Sequence, residues 1–322
     1  MKMNWHSIFN GFEKVKILIV GDAMIDSYMW GNINRQSPEA DIPIVDIDKY
    51  EKKLGGAANV ASNIKALGGT PILCSVIGHD DKGFLSLMNK ENLSTEGILQ
   101  EDRKTTVKTR ITSEDKHQLR VDEEDTFCII GESEFIERTT SLMKNIDVII
   151  FQDYNKGVLS KNVITDLIKQ AKLLNIPILV DPKKENYFQY QGVDLFKPNA
   201  KELVESEKET KDSLNLNTLF ETVSTQRKQL SAKAFLLTLS ENGVYIQTEN
   251  EGLHYPATQR NIIDVSGAGD AVIATAALAM ARQLEFDKLA QLANLAGGLT
   301  CENIGVNPLD KEILLKEAIR LI

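Results

Sequence analysis

KILIVGD, Lys16 to Asp22, is a continuous apolar run closed by Gly-Asp. Absence of polar alternation suits a strand buried on both faces. Working outward, similar runs recur as TPILCSVIG (Thr70 to Gly78), DVIIFQDY (Asp147 to Tyr154), IPILVDP (Ile176 to Pro182), DLFKPN (Asp194 to Asn199) and AFLLTLS (Ala234 to Ser240). Between several of them lie segments of helical period: NVASNIKALG, SEFIERTTSLMKN, SKNVITDLIKQAKLLN and LNTLFETVSTQRKQL. Apolar strands alternating with amphipathic helices predict an α/β fold with a doubly wound, mostly parallel sheet. The run AVIATAALAMA, Ala271 to Ala281, reads as a buried helix. It is far shorter than the roughly 20 residues that span a bilayer.

Two stretches break the rhythm. SYMWGNINR with DIPIVDIDKYE, within residues 27–51, and TTVKTRITSEDKHQLRVDEED, residues 105–125, alternate apolar and polar side chains. Half-exposed antiparallel strands do this. Together they predict a small β-sheet that leaves the main body and returns as a lid; ordinary surface hairpins are the plainer alternative. No repeat, low-complexity tract or linker interrupts the chain, so residues 1–322 are expected to form one domain with that lid.

Bulk properties narrow the function. With 322 residues, 42% of them hydrophobic, the chain can bury a large core. A net charge of −9 argues against nucleic acid, whose binders present a basic face. Cys74, Cys128 and Cys301 form no C-x-x-C pair, and the four histidines form no metal-binding pattern, so a structural zinc site is not expected. The cysteines read as reduced core residues of a cytosolic protein. The N-terminal MKMNWHSIFNGFEKV lacks the apolar stretch of a signal peptide. A soluble, cytoplasmic protein without a membrane partner is expected.

The sharpest candidate site is DVSGAGDAVIATAALA, starting at Asp264. Ser266-Gly267-Ala268-Gly269 would open a helix whose first turn holds Asp270. Consecutive small residues let backbone N–H groups converge on an anion, and the helix N-terminus favours negative charge. A carboxylate there can take a proton from an attacking hydroxyl while the amides stabilise a transferring phosphoryl group. Alone, the motif reads more simply as a glycine-rich turn with a first-turn aspartate. A second cluster, LGGAANVASNIKALGG (Leu54 to Gly69), places Gly55, Gly56 and Asn59 ahead of another helix.

Together the two motifs resemble the paired signatures of the ribokinase (PfkB-type) sugar kinase family, a G-G-x-x-N segment and a D-T-x-G-A-G-D segment. Val265 and Ser266 depart mildly from that pattern; the glycines and the aspartate are intact. Walker A and G-x-G-x-x-G motifs are absent. The resemblance runs from Lys16 to about Asn307 and implies a ribokinase-like α/β/α sandwich with a β-lid. It further implies Asp270 as base and Gly267, Ala268 and Gly269 as anion hole. The sugar would meet Asp22 and Asp26 of GDAMIDSY together with Gly55, Gly56 and Asn59. The P-N-x-x-E-like KPNAKEL segment would bring Asn199 and Glu202 to ATP and, through water, to Mg²⁺. As a plainer alternative these two residues form a helix capping box. TLSENGVYI would contribute Thr238, Ser240 and Gly243 to the nucleotide, and a monovalent cation such as K⁺ would lie near Asp264.

Within the family, GDAMIDSYMWG, SPEADIPIV, LGGAANVASNI, RVDEED, DYNKGVLS and DPKKENYFQY are similar to kinases of D-glycero-D-manno-heptose 7-phosphate. That resemblance implies transfer of a phosphoryl group from ATP to the anomeric hydroxyl, on the route to ADP-heptose and the lipopolysaccharide core. Lys156 and Lys183, each following a strand, are candidates for the substrate's own phosphate, with Asn155 as a sugar contact. The resemblance also implies a homodimer through the lid. No H-x-G-H nucleotidyltransferase motif occurs, which reads as a stand-alone kinase. Two rivals stay open: a kinase of an unphosphorylated sugar such as fructose or ribose, and a non-catalytic sugar or nucleotide sensor on the same fold.

Overall fold

The computed structural model describes residues 3–113, 116–207 and 216–322. Its strands in chain order are β1 (Lys16–Gly21), β2 (Ala23–Gln36), β3 (Pro43–Gly56), β4 (Thr70–Gly78), β5 (Ile98–Glu101), β6 (Val107–Ser113) and β7 (Lys116–Glu123). They continue as β8 (Val148–Gln152), β9 (Ile178–Asp181), β10 (Leu195–Phe196), β11 (Ala234–Thr238), β12 (Val244–Gln247) and β13 (Gly252–Tyr255). Nine of them form one sheet in the order β13-β12-β11-β10-β9-β8-β1-β4-β5. From β11 to β5 the neighbours are parallel; β12 and β13 add an antiparallel edge. The KILIVGD run is therefore an inner strand, with β8 and β4 on its two sides. All its residues after Lys16 are buried.

Helices cover both faces of this sheet, and the core divides accordingly. One cluster joins Ile17 and Ile19 to helices Ala57–Ala66, Ala268–Ala281 and Phe286–Thr300. The other joins Leu18 and Val20 to helices Glu132–Leu142 and Lys161–Leu173. Alternate side chains of one strand thus feed opposite layers. Residues 271–279 of the Ala268–Ala281 helix are buried on every side, which explains its uniformly apolar sequence.

β3, β2, β6 and β7 make a second, four-stranded sheet. The alternating stretches predicted this pairing, although β2 and β3 run further toward the main sheet than residues 27–51, and residues 114–115 lie outside the described ones. Tyr28 ties this sheet to the main body: its ring packs against Gly305 and its hydroxyl accepts the Val306 N–H at 3.1 Å. One expectation fails. Cys74 and Cys301 are buried, but Cys128 is exposed, on a loop that follows β7. No helix among the described residues is long and apolar enough to cross a membrane.

Candidate active site

Asp270 sits in the first turn of helix Ala268–Ala281 and is only 4% exposed. Three donors hold its carboxylate: Asn59 Nδ2 on Oδ2 at 2.7 Å, and Tyr154 Oη at 2.8 Å and Gln152 Nε2 at 3.1 Å, both on Oδ1. Burial raises the pKa to about 7; Asp181 adds to the rise, while the hydrogen bonds from Asn59 and Tyr154 and the charge of Lys197 oppose it. A carboxyl balanced near neutrality in a closed site suits proton transfer at physiological pH.

Gly267 precedes that helix in the left-handed region, φ 81°, and no side chain caps the first turn. The Ala268 N–H is drawn 3.3 Å to the Val265 carbonyl. Of the expected anion hole, Ala268 is thus engaged elsewhere, and Gly267, Gly269 and Asp270 carry the amides of this turn that remain for a ligand. The turn forms one wall of a cavity of about 450 Å³. Gly267, Ala268, Gly269 and Asp270 line it, and so do Lys183, Asn199, Thr238, Ser240 and Gly243. Sequence reasoning picked each of these separately, and the fold brings them together.

Asn199 and Glu202 do form the capping box: Asn199 Oδ1 accepts the Glu202 N–H at 2.9 Å, and Glu202 Oε2 accepts the Asn199 N–H at 2.9 Å. The other Glu202 oxygen pairs with Lys183. Burial alone would depress the Lys183 pKa, but Asp181 and Glu202 outweigh it and raise it.

The remaining candidates gather beyond Asn59 and Tyr154. Asp22 is buried and accepts backbone N–H groups from Tyr154 (2.8 Å), Lys156 (3.1 Å) and Val158 (3.1 Å). It clamps the loop after β8, a structural duty the sequence reading did not anticipate. Asp26 pairs with Arg110 of β6. Gly55 and Gly56 pass against these aspartates: a Cβ at Gly55 would lie 2.2 Å from Asp26 Oδ2, and one at Gly56 would lie 2.5 Å from the Asp22 carbonyl. Asn155 Oδ1 is enclosed and has no partner among the described residues. Lys156 Nζ pairs with Glu124 at 2.7 Å. The two lysines expected to share one phosphate thus have separate partners, and only Lys183 lines the cavity.

Residues 14–312 match the family described as pfkB family carbohydrate kinase. The chain belongs to that family. It is similar to the Bifunctional protein HldE of Campylobacter jejuni (strain RM1221), 40% identical over 295 residues, covering 91% of this chain and 62% of that protein. The HldE of Pelobacter propionicus is 34% identical over 308 residues, with 94% and 62% covered. The chain therefore spans 62% of the length of these curated relatives. In fold it is similar to phosphofructokinase-2 from Escherichia coli in complex with potassium, TM-score 0.78 at 16% identity, covering 95% of this chain and 98% of that one. It is likewise similar to Arabidopsis thaliana ribokinase complexed with ribose and ATP, TM-score 0.72 at 16% identity, covering 96% and 99%.

Several site residues of this PfkB kinase escaped sequence reasoning. Gln152 and Tyr154 end the β8 run and grip Asp270. Asp181 and Lys197 form a buried pair at 2.9 Å, and a Cβ on Gly269 would sit 3.7 Å from Lys197 Nζ. This ammonium therefore points at the glycine turn. Lys197 directly follows β10 and precedes the Pro-Asn of KPNAKEL, and Asp181 is the last residue of β9 and precedes Pro182. Position at a strand's carboxyl end was the signal available for both. Arg110 had a weaker signal, since the β2–β6 register pairs it with Tyr28 and only its side chain reaches back to Asp26.

Proposed function

We propose that the chain transfers the γ-phosphoryl group of ATP to the anomeric hydroxyl of D-glycero-D-manno-heptose 7-phosphate, giving the 1,7-bisphosphate. The observation that carries this reading is Asp270 itself, a buried carboxyl with pKa about 7 between a glycine turn and a separate cluster of polar side chains. The substrate hydroxyl loses its proton to Asp270 as its oxygen bonds to the γ-phosphorus, and ADP leaves. Amides of Gly269 and Asp270, together with Lys197, face the charge that builds on the transferring group. ATP occupies the cavity of Asn199, Thr238, Ser240 and Gly243. The sugar lies across Asn59 from it, where the unpaired Asn155 Oδ1 can accept a sugar hydroxyl. The heptose assignment is supported by the motifs quoted above and by the likeness to the HldE proteins.

Residues 1–322 act in this reading as one domain, with the small sheet as a lid that excludes water, a competing acceptor. Mg²⁺ neutralises phosphate charge when bound. Among the described residues no cluster of three or more metal-ligating side chains occurs, which suits an ion held by phosphates and water. Glu202 would hold one of those waters. Asp264, held ionised against burial by the N–H groups of Ser266 and Gly305, would neighbour a monovalent cation. Tyr50, Leu119 and Val121 are exposed on the lid and would join two copies; sedimentation checks this.

The deciding assay is ADP release with ATP and Mg²⁺ across heptose 7-phosphate, fructose 6-phosphate, fructose and ribose. Turnover confined to the heptose phosphate supports the reading, and equal use of ribose or fructose overturns the specificity. The two lysines give a further expected result. Lys156→Ala raises KM for the sugar phosphate by about 10-fold or more and spares KM for ATP, while Lys183→Ala does the reverse, as loss of one charge-assisted contact predicts. Kinetics with each substrate varied in turn checks the split.

A further inference from the structure

Asp270 presents two unequal oxygens. Oδ1 accepts from Tyr154 Oη and Gln152 Nε2, at 2.8 and 3.1 Å, whereas Oδ2 accepts, among the described residues, only from Asn59 Nδ2. A carboxylate oxygen has about two lone-pair sites, so Oδ1 is saturated and Oδ2 keeps one free. Tyr154 is itself fixed at two further points. Its backbone N–H donates to Asp22, and the ammonium of Lys183 lies over its ring, 5.3 Å from the centroid. The phenol therefore cannot drift from Asp270 without disturbing both neighbours.

We propose that Tyr154 is a positioning residue that selects which oxygen of Asp270 works: by occupying Oδ1 it leaves Oδ2 to receive the proton of the substrate hydroxyl. The inference rests on the kinase reading above and adds an assignment within it. In the step, the sugar O–H bond breaks and its proton goes to Oδ2. The freed oxygen forms the bond to the γ-phosphorus, and the bond to the ADP oxygen breaks. Tyr154 keeps its own proton throughout. Burial, and then the nearby charge of Asp270, raise the phenol pKa well above its ordinary value, so it remains a donor across the working pH range. The charged and titratable groups acting on Asp270 include Asp181, Lys197, Lys183 and Tyr154; Tyr154 and the two lysines favour the ionised form and Asp181 opposes it.

Tyr154→Phe keeps the ring under Lys183 and removes only the donor. A lost hydrogen bond to a charged acceptor shifts the acid limb of the kcat profile upward by about one pH unit and, from a pKa of about 7, lowers kcat at pH 7 by about 5-fold. Kd for ATP, measured by calorimetry, stays within about 2-fold, and the same change made in the Asp270→Asn background has no further effect on kcat. An unmoved acid limb, or an equal loss in both backgrounds, overturns the proposal. Infrared titration of the Asp270 carboxyl, as the difference between parent and Asp270→Asn, reads the same upward shift without turnover. It therefore separates failure of this assignment from failure of the kinase reading. If Tyr154→Phe does not fold, titration of Gln152→Leu decides: an Asp270 midpoint moved as far as Tyr154 is expected to move it would deny the tyrosine its special role.

Discussion

Asp270→Asn lowers kcat by about 10² to 10⁴ while leaving ATP affinity nearly unchanged. That range is the usual worth of a positioned general base. The change removes the proton acceptor and little else. An asparagine oxygen can still take the Tyr154 and Gln152 donors, and the amides of the glycine turn are untouched. The new amide nitrogen, however, meets Asn59 Nδ2, the donor now 2.7 Å from Oδ2. Asn59 can turn its own oxygen inward only by giving up its contact from Asn63 Nδ2 at 3.2 Å. The variant therefore folds with a small local cost. Steady-state kinetics with calorimetric ATP binding checks the expected pair of results, and near-normal turnover removes Asp270 from the mechanism.

The same variant carries a pH signature. Asp270 has a folded pKa of about 7 against an ordinary value of 3.8. A group raised on folding contributes its stability fully below the lower value, and loses it as pH rises through the upper one. The parent therefore sheds stability between about pH 4 and pH 7 from this group, and Asp270→Asn does not. The difference in Tm, variant minus parent, should grow as pH rises from about 4 to about 7 and level off above that. A flat difference would mean that Asp270 is not raised in the folded protein.

Strand identity was legible in the sequence wherever burial on both faces wrote a continuous apolar run. KILIVGD, TPILCSVIG and AFLLTLS all became strands of the main sheet. The short β10 was legible only as part of DLFKPN. Its two residues pair on both sides, but a two-residue strand leaves almost no pattern. Helices Trp5–Asn10, Phe84–Lys90, Phe286–Thr300 and Lys311–Leu321 were not anticipated; the first two are too short to show a period. At the site, the glycine turn and the residues Asn59, Asn199 and Thr238 carried motif signals. The grip on Asp270 by Gln152 and Tyr154 did not, because it joins residues 116 to 118 positions apart. The two lysines show the same limit in reverse. Each follows a strand, yet side-chain direction, which sequence position does not set, sends one to Glu124 and the other to Glu202.

The glycine turn yields the second large effect, and its two glycines should fail differently. Gly267 has φ 81°, and a Cβ there would lie 3.1 Å from Asn59 Nδ2, the side chain that holds Oδ2 of Asp270. A β-branched residue is a genuine outlier in that backbone region. Left-handed geometry costs an ordinary L-residue about 1 to 2 kcal/mol. Gly267→Val should therefore lose both turnover and several degrees of Tm. Gly269 is already helical, and its Cβ would meet nothing closer than Lys197 Nζ at 3.7 Å and Asp181 Oδ2 at 3.9 Å. The backbone accepts a side chain there, but the side chain projects toward the buried ammonium, where the phosphoryl group must come. Gly269→Val should accordingly keep Tm close to the parent's and lower kcat by about 10² or more, comparable to loss of an oxyanion donor. Thermal melts beside single-turnover kinetics check the contrast. If Gly269→Val unfolds the protein, the glycine serves packing first; if it turns over normally, the phosphoryl group does not pass between this turn and Lys197.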